Sequence, residues 1–126
     1  MPLVRIALRQ GRSPEFRASI GDIVHQAMVE TINVPAADRF QVITEHAATD
    51  LVYDPAYLGI PRTDGIILIQ IMLNAGRSVD LKKSFYARVA ADLNVRLGVR
   101  REDVFISLVE VPKENWSFGN GIAQYA

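Results

Sequence analysis

Apolar residues in this chain fall into four short runs, separated by two long stretches in which they recur every three or four positions. Leu3-Val4-Arg5-Ile6-Ala7-Leu8 reads as a first strand with Arg5 its only charge, and Gln10-Gly11 as the turn that follows. Ser13 then offers a hydroxyl as N-cap, Pro14 suits the first helical position, and Glu15 favours the positive end of the helix dipole. Phe16, Ile20, Ile23, Val24, Ala27, Met28 and Thr31 share one face of a helix that ends near Asn33. After the connector Val34-Pro35-Ala36-Ala37-Asp38, residues 39–45 alternate as a strand. A strand–helix–strand unit crosses over right-handedly and leaves its strands parallel.

Residues 46–65 show no period, and Tyr53-Asp54-Pro55 and Gly59-Ile60-Pro61 predict a structured loop with one helical turn; a loop of this length is often functional. Residues 66–73 then form a strand, and a helix runs through Leu81, Phe85, Val89 and Leu93 to Leu97, with Gly98 as its C′ residue. Val104 to Val109 make a fourth strand. This second unit repeats the first at a shift of 65 positions. Gly11-Arg12-Ser13 falls on Gly76-Arg77-Ser78. Leu3, Ile6, Leu8, Val24, Val34, Asp38, Phe40 and Glu45 fall on Leu68, Ile71, Leu73, Val89, Val99, Asp103, Phe105 and Glu110 without a gap. The chain is therefore read as one α+β domain, residues 1–126, made of a tandem β-α-β repeat. Its units are 2–46 and 66–110, with a linker at 47–65 and a C-terminal hairpin at 112–126. The two units join into a four-stranded mixed sheet with two helices on one face. Ile66-Ile67-Leu68-Ile69 and Val104-Phe105-Ile106 are apolar on both sides of the strand, so another subunit is expected on the face that the helices leave open.

Composition narrows the chemistry. The 14 basic and 14 acidic residues cancel, so no basic field points to nucleic acid. The absence of cysteine removes disulfides, thiolate zinc sites and a Cys nucleophile, and two histidines suggest no metal set. The longest apolar run is too short to span a membrane, and no basic-then-apolar leader opens the chain. The expectation is a cytoplasmic domain without membrane or nucleic-acid partners.

Candidate chemistry begins at Pro2. Once Met1 is removed, a secondary amine stands at the end of a strand, where it can act as acid or base near neutrality. In the repeat Pro2 falls on Ile67, inside the chain, so such a site occurs once per chain. Arg77 at the start of the second helix can hold a carboxylate, or is simply a solvated helix-start residue like Arg12. Asp38 either caps a turn, as its mate Asp103 does by position, or sits beside the amine and favours its protonated form. His25 lies near the apolar stripe of its helix as a structural residue, and His46 follows a strand within possible reach of the site. Trp116 and Phe118, set in Asn115-Trp116-Ser117-Phe118-Gly119-Asn120-Gly121, either present aromatic faces to a pocket or plug a core edge.

Taken together, Pro2-Leu3-Val4-Arg5-Ile6, the two Gly-Arg-Ser segments and Phe118-Gly119-Asn120-Gly121 resemble the tautomerase superfamily, with its tautomerase/MIF-like fold and catalytic amino-terminal proline. Residues 34–41, Leu58-Gly59-Ile60-Pro61-Arg62, residues 103–109, Trp116-Ser117-Phe118-Gly119 and Ala123-Gln124-Tyr125 are most similar to the malonate semialdehyde decarboxylase family. The resemblance implies a homotrimer acting on a small carboxylate substrate without a cofactor. It further implies Pro2 as the catalytic amine, Asp38 as its acidic partner and Arg77 as the carboxylate binder. Trp116, Phe118, Tyr125 and Asn74 are the implied substrate-binding positions. The chain departs from the family at Asn74-Ala75-Gly76-Arg77, which keeps one arginine where the decarboxylase pattern has two, and at Phe40, which stands where 4-oxalocrotonate tautomerase has an arginine. Decarboxylation of a 3-oxo acid, tautomerisation of a 2-keto acid, hydration of haloacrylic or acetylenic acids and a non-enzymatic trimer with a vestigial site all remain open at this point. Intact-mass measurement of the expressed protein is expected to show loss of one methionine, since proline is small enough for the aminopeptidase; a retained Met1 blocks the amine.

Overall fold

Each unit starts its helix with the same local machinery. The computed structural model describes residues 1–126. In it, Ser13 and Ser78 are both extended N-caps whose hydroxyls accept from the backbone N–H groups of Phe16 and Leu81. Gly11 and Gly76 precede them at φ of 116° and 121°, a region closed to most side chains. Helix α1 spans Pro14–Thr31 and α2 spans Val79–Leu97. Both ends turn through a left-handed residue, Asn33 at φ 62° and Gly98 at φ 68°. The next residue's N–H then returns to the last turn, Val34 to Met28 O and Val99 to Leu93 O.

Strands β1 (Leu3–Arg9), β2 (Gln41–His46), β3 (Ile67–Asn74) and β4 (Val104–Val111) form one mixed sheet in the order β2-β1-β3-β4. β1 pairs parallel with β2, and β3 with β4, in the same register after the shift: Val4 faces Gln41 as Ile69 faces Ile106. The central β1–β3 pair is antiparallel, with Ile6 opposite Ile69 and Val4 opposite Ile71. A pseudo-two-fold therefore relates the units. Between sheet and helices lie Val4, Ile6, Leu8, Ile69, Ile71 and Leu73 against Ile20, Ile23, Val24, Phe85, Val89 and Leu93. The opposite face of the sheet is open and partly apolar. Across it run Val42, Arg5, Gln70 and Ser107 in one row and Thr44, Ala7, Leu68 and Phe105 in the next. Together these rows line a concavity of about 450 Å³.

The hairpin expected over residues 112–126 does not form. Lys113–Asn115 make a 3-10 turn, and the rest is turns fixed by side chains. Gln124 accepts from Phe118 N and donates to Gly119 O, doing locally what a ladder of backbone bonds does in a hairpin. The expected helical turn in the linker is Tyr57–Gly59. The linker also packs back on the second unit: buried Asp103 accepts from Thr63 N at 2.7 Å and Thr63 Oγ1 at 2.5 Å. Two bonds to a buried charge make this a structural lock. Asp103→Ala is expected to lower stability by about 2 kcal/mol, read as a fall in the urea midpoint at unchanged slope.

Candidate active site

The antiparallel β1–β3 pairing sets Leu3 opposite Met72, so the chain's amino end and the approach to α2 share one end of the sheet. Four segments meet there: the residues before β1, the connector before β2, the β3–α2 turn and the C-terminal turns. Pro2 is buried, and lines a cavity of about 200 Å³ with Leu3, Phe40, Trp116, Ser117 and Phe118. A second cavity, about 450 Å³ and more open, is lined by Met1, Asp38, Phe40, Phe118 and Tyr125 among others. Phe40 and Phe118 stand in the walls of both.

Asp38 is 8% exposed, and neither carboxylate oxygen accepts a hydrogen bond. Its one charged neighbour is the chain's amino group, carried by Met1, at 3.2 Å from Oδ2. Asp103, its repeat mate, has both oxygens occupied by Thr63. The contrast removes the turn-capping reading for Asp38: a buried carboxylate without donors is held for a cation. His25 braces the connector that carries it, through Nε2 and Ala36 O at 2.9 Å.

Arg77 is anchored by two carbonyls. Its Nε donates to Ile32 O at the end of α1 (2.8 Å) and its Nη1 to Asn74 O (3.1 Å). No carboxylate pairs with it, because Glu110 is taken by Lys82 and by Gly76 N–H. Burial pulls the guanidinium below its ordinary value, with Glu110 acting in the opposite direction. Nη2 has no partner and is not sealed from solvent. The result is an unneutralised cation with a free donor, fixed in direction by its other two nitrogens.

The aromatic wall is continuous. Trp116 stacks on Phe118 at 5.3 Å between centroids with planes 15° apart, and Phe118 meets Tyr125 edge-on at 5.3 Å. Trp116 Nε1 donates to Asn74 Oδ1 at 2.8 Å. Every residue expected at the site is thus at this end of the sheet. His46 is not: it faces Arg9 at the opposite end and its Nε2 pairs with Thr44. Arg12 lies at that far end too, its guanidinium 4.4 Å over the Phe16 ring. Phe40, noted in the sequence only as standing where 4-oxalocrotonate tautomerase has an arginine, lines both cavities. Its 54% exposure marks it, whereas its repeat mate Phe105 lies on the open sheet face. No group of three or more His, Asp or Glu side chains is placed to hold a metal ion. No helix is long and apolar enough to cross a membrane.

With this geometry in place, comparison with known proteins is decisive about family. A family described as tautomerase enzyme matches residues 38–119, and a second of the same description matches residues 2–59. The chain belongs to the tautomerase superfamily. It is 46% identical over 124 residues to probable tautomerase YusQ of Bacillus subtilis (strain 168), covering 98% of each. The crystal structure of FG41 malonate semialdehyde decarboxylase inhibited by 3-bromopropiolate superposes with a TM-score of 0.91 at 41% identity, covering 98% of this chain and 93% of that one. A fused 4-OT, a symmetric trimer, superposes with a TM-score of 0.80 at 25% identity, covering 98% and 97%. Tautomerase-superfamily members are cofactor-independent enzymes, and this chain is one of them.

Proposed function

We propose that this enzyme is a malonate semialdehyde decarboxylase-like lyase acting on a small 3-oxo acid, with Pro2 as its catalytic amine once Met1 is removed. The observation that carries this reading is Asp38, a buried carboxylate without hydrogen-bond donors beside the chain's amino group. A carboxylate there favours the protonated amine, which suits an acid and disfavours a base. In the reaction, the prolyl ammonium donates a hydrogen bond to the 3-oxo oxygen while Arg77 orients the carboxylate. The C1–C2 bond breaks, CO2 leaves, and the electron pair passes to an enolate that the ammonium stabilises. A proton then returns to C2, giving the aldehyde. Trp116, Phe118 and Tyr125 form an apolar wall that favours conversion of the carboxylate into neutral CO2.

A second reading has its own support. The FG41 decarboxylase is inhibited by 3-bromopropiolate, a halogenated acetylenic acid. A protonated proline beside an aspartate is also suited to adding water across such an unsaturated acid. Tautomerisation of a 2-keto acid needs the neutral amine, which Asp38 opposes. A vestigial, non-enzymatic site is opposed by the retention of an unpaired cation together with a buried carboxylate whose one charged neighbour is the chain's amino group.

Purified enzyme is expected to turn over malonate semialdehyde faster than phenylenolpyruvate, and Pro2→Ala to lose at least about 100-fold in kcat/KM. Full activity in Pro2→Ala rejects the prolyl mechanism, and turnover of neither substrate with a free Pro2 rejects the enzyme reading. The partly apolar open face, with Phe105 49% and Val42 40% exposed, supports a homotrimer that buries it. Light scattering of the native protein is expected to give three times the mass of the chain, and Phe105→Glu to lower it.

A further inference from the structure

His25 is the one buried histidine, carried on α1 with 8% of its surface exposed. Its ring makes a single hydrogen bond, between Nε2 and Ala36 O at 2.9 Å. A carbonyl can only accept, so the imidazole carries a proton on Nε2 and donates. Nδ1 is sealed from solvent and has no partner. A polar ring is thus kept under the connector for one bond, and that bond ends two residues before Asp38. It is the one side-chain hydrogen bond made to residues 34–38.

The second unit shows the alternative. By the 65-residue shift His25 falls on Ala90, and Asp38 on Asp103. Both aspartates close the same turn, with Asp38 N–H donating to Pro35 O and Asp103 N–H to Arg100 O. Asp103 is then held at its carboxylate, by Thr63 N and Thr63 Oγ1. The same device at Asp38 would occupy the oxygens that face the amine. A bond to Ala36 O instead fixes the connector from behind and leaves both oxygens free of protein donors. On the other side of Asp38, Val4 N–H donates to Phe40 O at 3.0 Å, so the backbone is pinned before and after it. We propose that His25 is a positioning residue, which sets Asp38 beside the chain's amine by holding Ala36 O rather than the carboxylate. This rests on the reading of Pro2 as an acid partnered by Asp38.

Other charges at this end are few. Asp22, one turn before His25, is taken by Arg39 at 2.7 Å, and Arg77 is anchored by two carbonyls. Asp38 is the one carboxylate lining either cavity, with Tyr125 the other titratable side chain there. The test uses protein freed of Met1 and follows the Pro2 amine across pH by nitrogen NMR of proline-labelled samples. It also measures kcat and KM on malonate semialdehyde. His25→Phe keeps the bulk of the ring without the donor, and His25→Asn keeps an amide that stops short of Ala36 O. His25→Gln returns an N–H near the place of Nε2. A carboxylate beside the amine favours its protonated form, so a loosened Asp38 is expected to move the Pro2 titration to lower pH. His25→Phe and His25→Asn are expected to show that shift, in the direction of Asp38→Asn. Their kcat is expected to fall about tenfold with KM changed less than about twofold. His25→Gln is expected to recover most of both losses. An unmoved Pro2 titration in a folded His25→Phe or His25→Asn overturns the proposal, as does a folded His25→Gln that titrates like His25→Phe. Failure of both His25→Phe and His25→Asn to fold makes His25 structural and overturns it too. A titration that moves as expected, in an enzyme that does not turn over malonate semialdehyde, supports the positioning role and rejects the lyase reading instead.

Discussion

The antiparallel pairing of β1 with β3 is the contact on which the rest depends. Within each unit the strands run parallel, and the start of the first strand lies at the opposite end of the sheet from the start of that unit's own helix. Only the antiparallel join brings the amino end of the first unit beside the helix start of the second. The join is itself made by Ile6, Ile69, Val4 and Ile71, whose burial under two helices drives the pairing. Arg77 extends the same join into polar chemistry, since its side chain belongs to the second unit and its Nε carbonyl partner, Ile32 O, to the first.

From this follows an electrostatic arrangement with two opposite charges, of which Asp38 has only the chain's amino group as counter-ion and Arg77 has no carboxylate. Asp38 lacks donors, and Arg77 lacks a carboxylate. In a folded protein such groups are costly to keep with so few partners, and their retention at one end of the sheet is a mark of function. The aromatic residues beside Pro2 and Asp38 lower the local polarity, which strengthens what a charge there does to a bound molecule.

Much of this was legible in the sequence because it is local or repeated. Ser13 and Ser78, the glycines before them, and the left-handed ends at Asn33 and Gly98 are short-range chemistry and appear as the residue types require. The gapless repeat then determined the pairing of halves, and Pro2, Asp38, Arg77 and Trp116 all fall at one end of the sheet. What escaped was tertiary. Gly119-Asn120-Gly121 looks like a hairpin turn, yet Gln124 closes the segment by side-chain bonds, and composition does not separate these. Phe40 was noted only as standing where 4-oxalocrotonate tautomerase has an arginine, and its place in the walls of both cavities depends on the C-terminal turns that pack beside it. The occupation of Asp103 by Thr63 depends on a return of the chain from 40 residues away, which no local pattern announces.

That returning linker separates the fates of two equal halves. By the 65-residue shift, residues 47–61 of the linker correspond to the C-terminal turns 112–126, and Arg9 corresponds to Asn74. Arg9 ties down the linker through Leu51 O and Asp64, as Asn74 ties down Trp116. Each tether leaves a concavity at its end of the sheet: about 300 Å³ lined by Val52, Tyr53, Leu68 and Phe105 at one, and cavities beside Pro2 and Asp38 at the other. The two halves thus keep matching mouths, but Ile67 stands within the chain where Pro2 stands at its start, so the peptide that joins the copies takes the free amine from one of them. The copy without an amine has Asp103 locked to the linker where the other has Asp38 beside the chain's amino group, so matching lesions in the two halves have different penalties: lost cohesion in one, lost chemistry in the other.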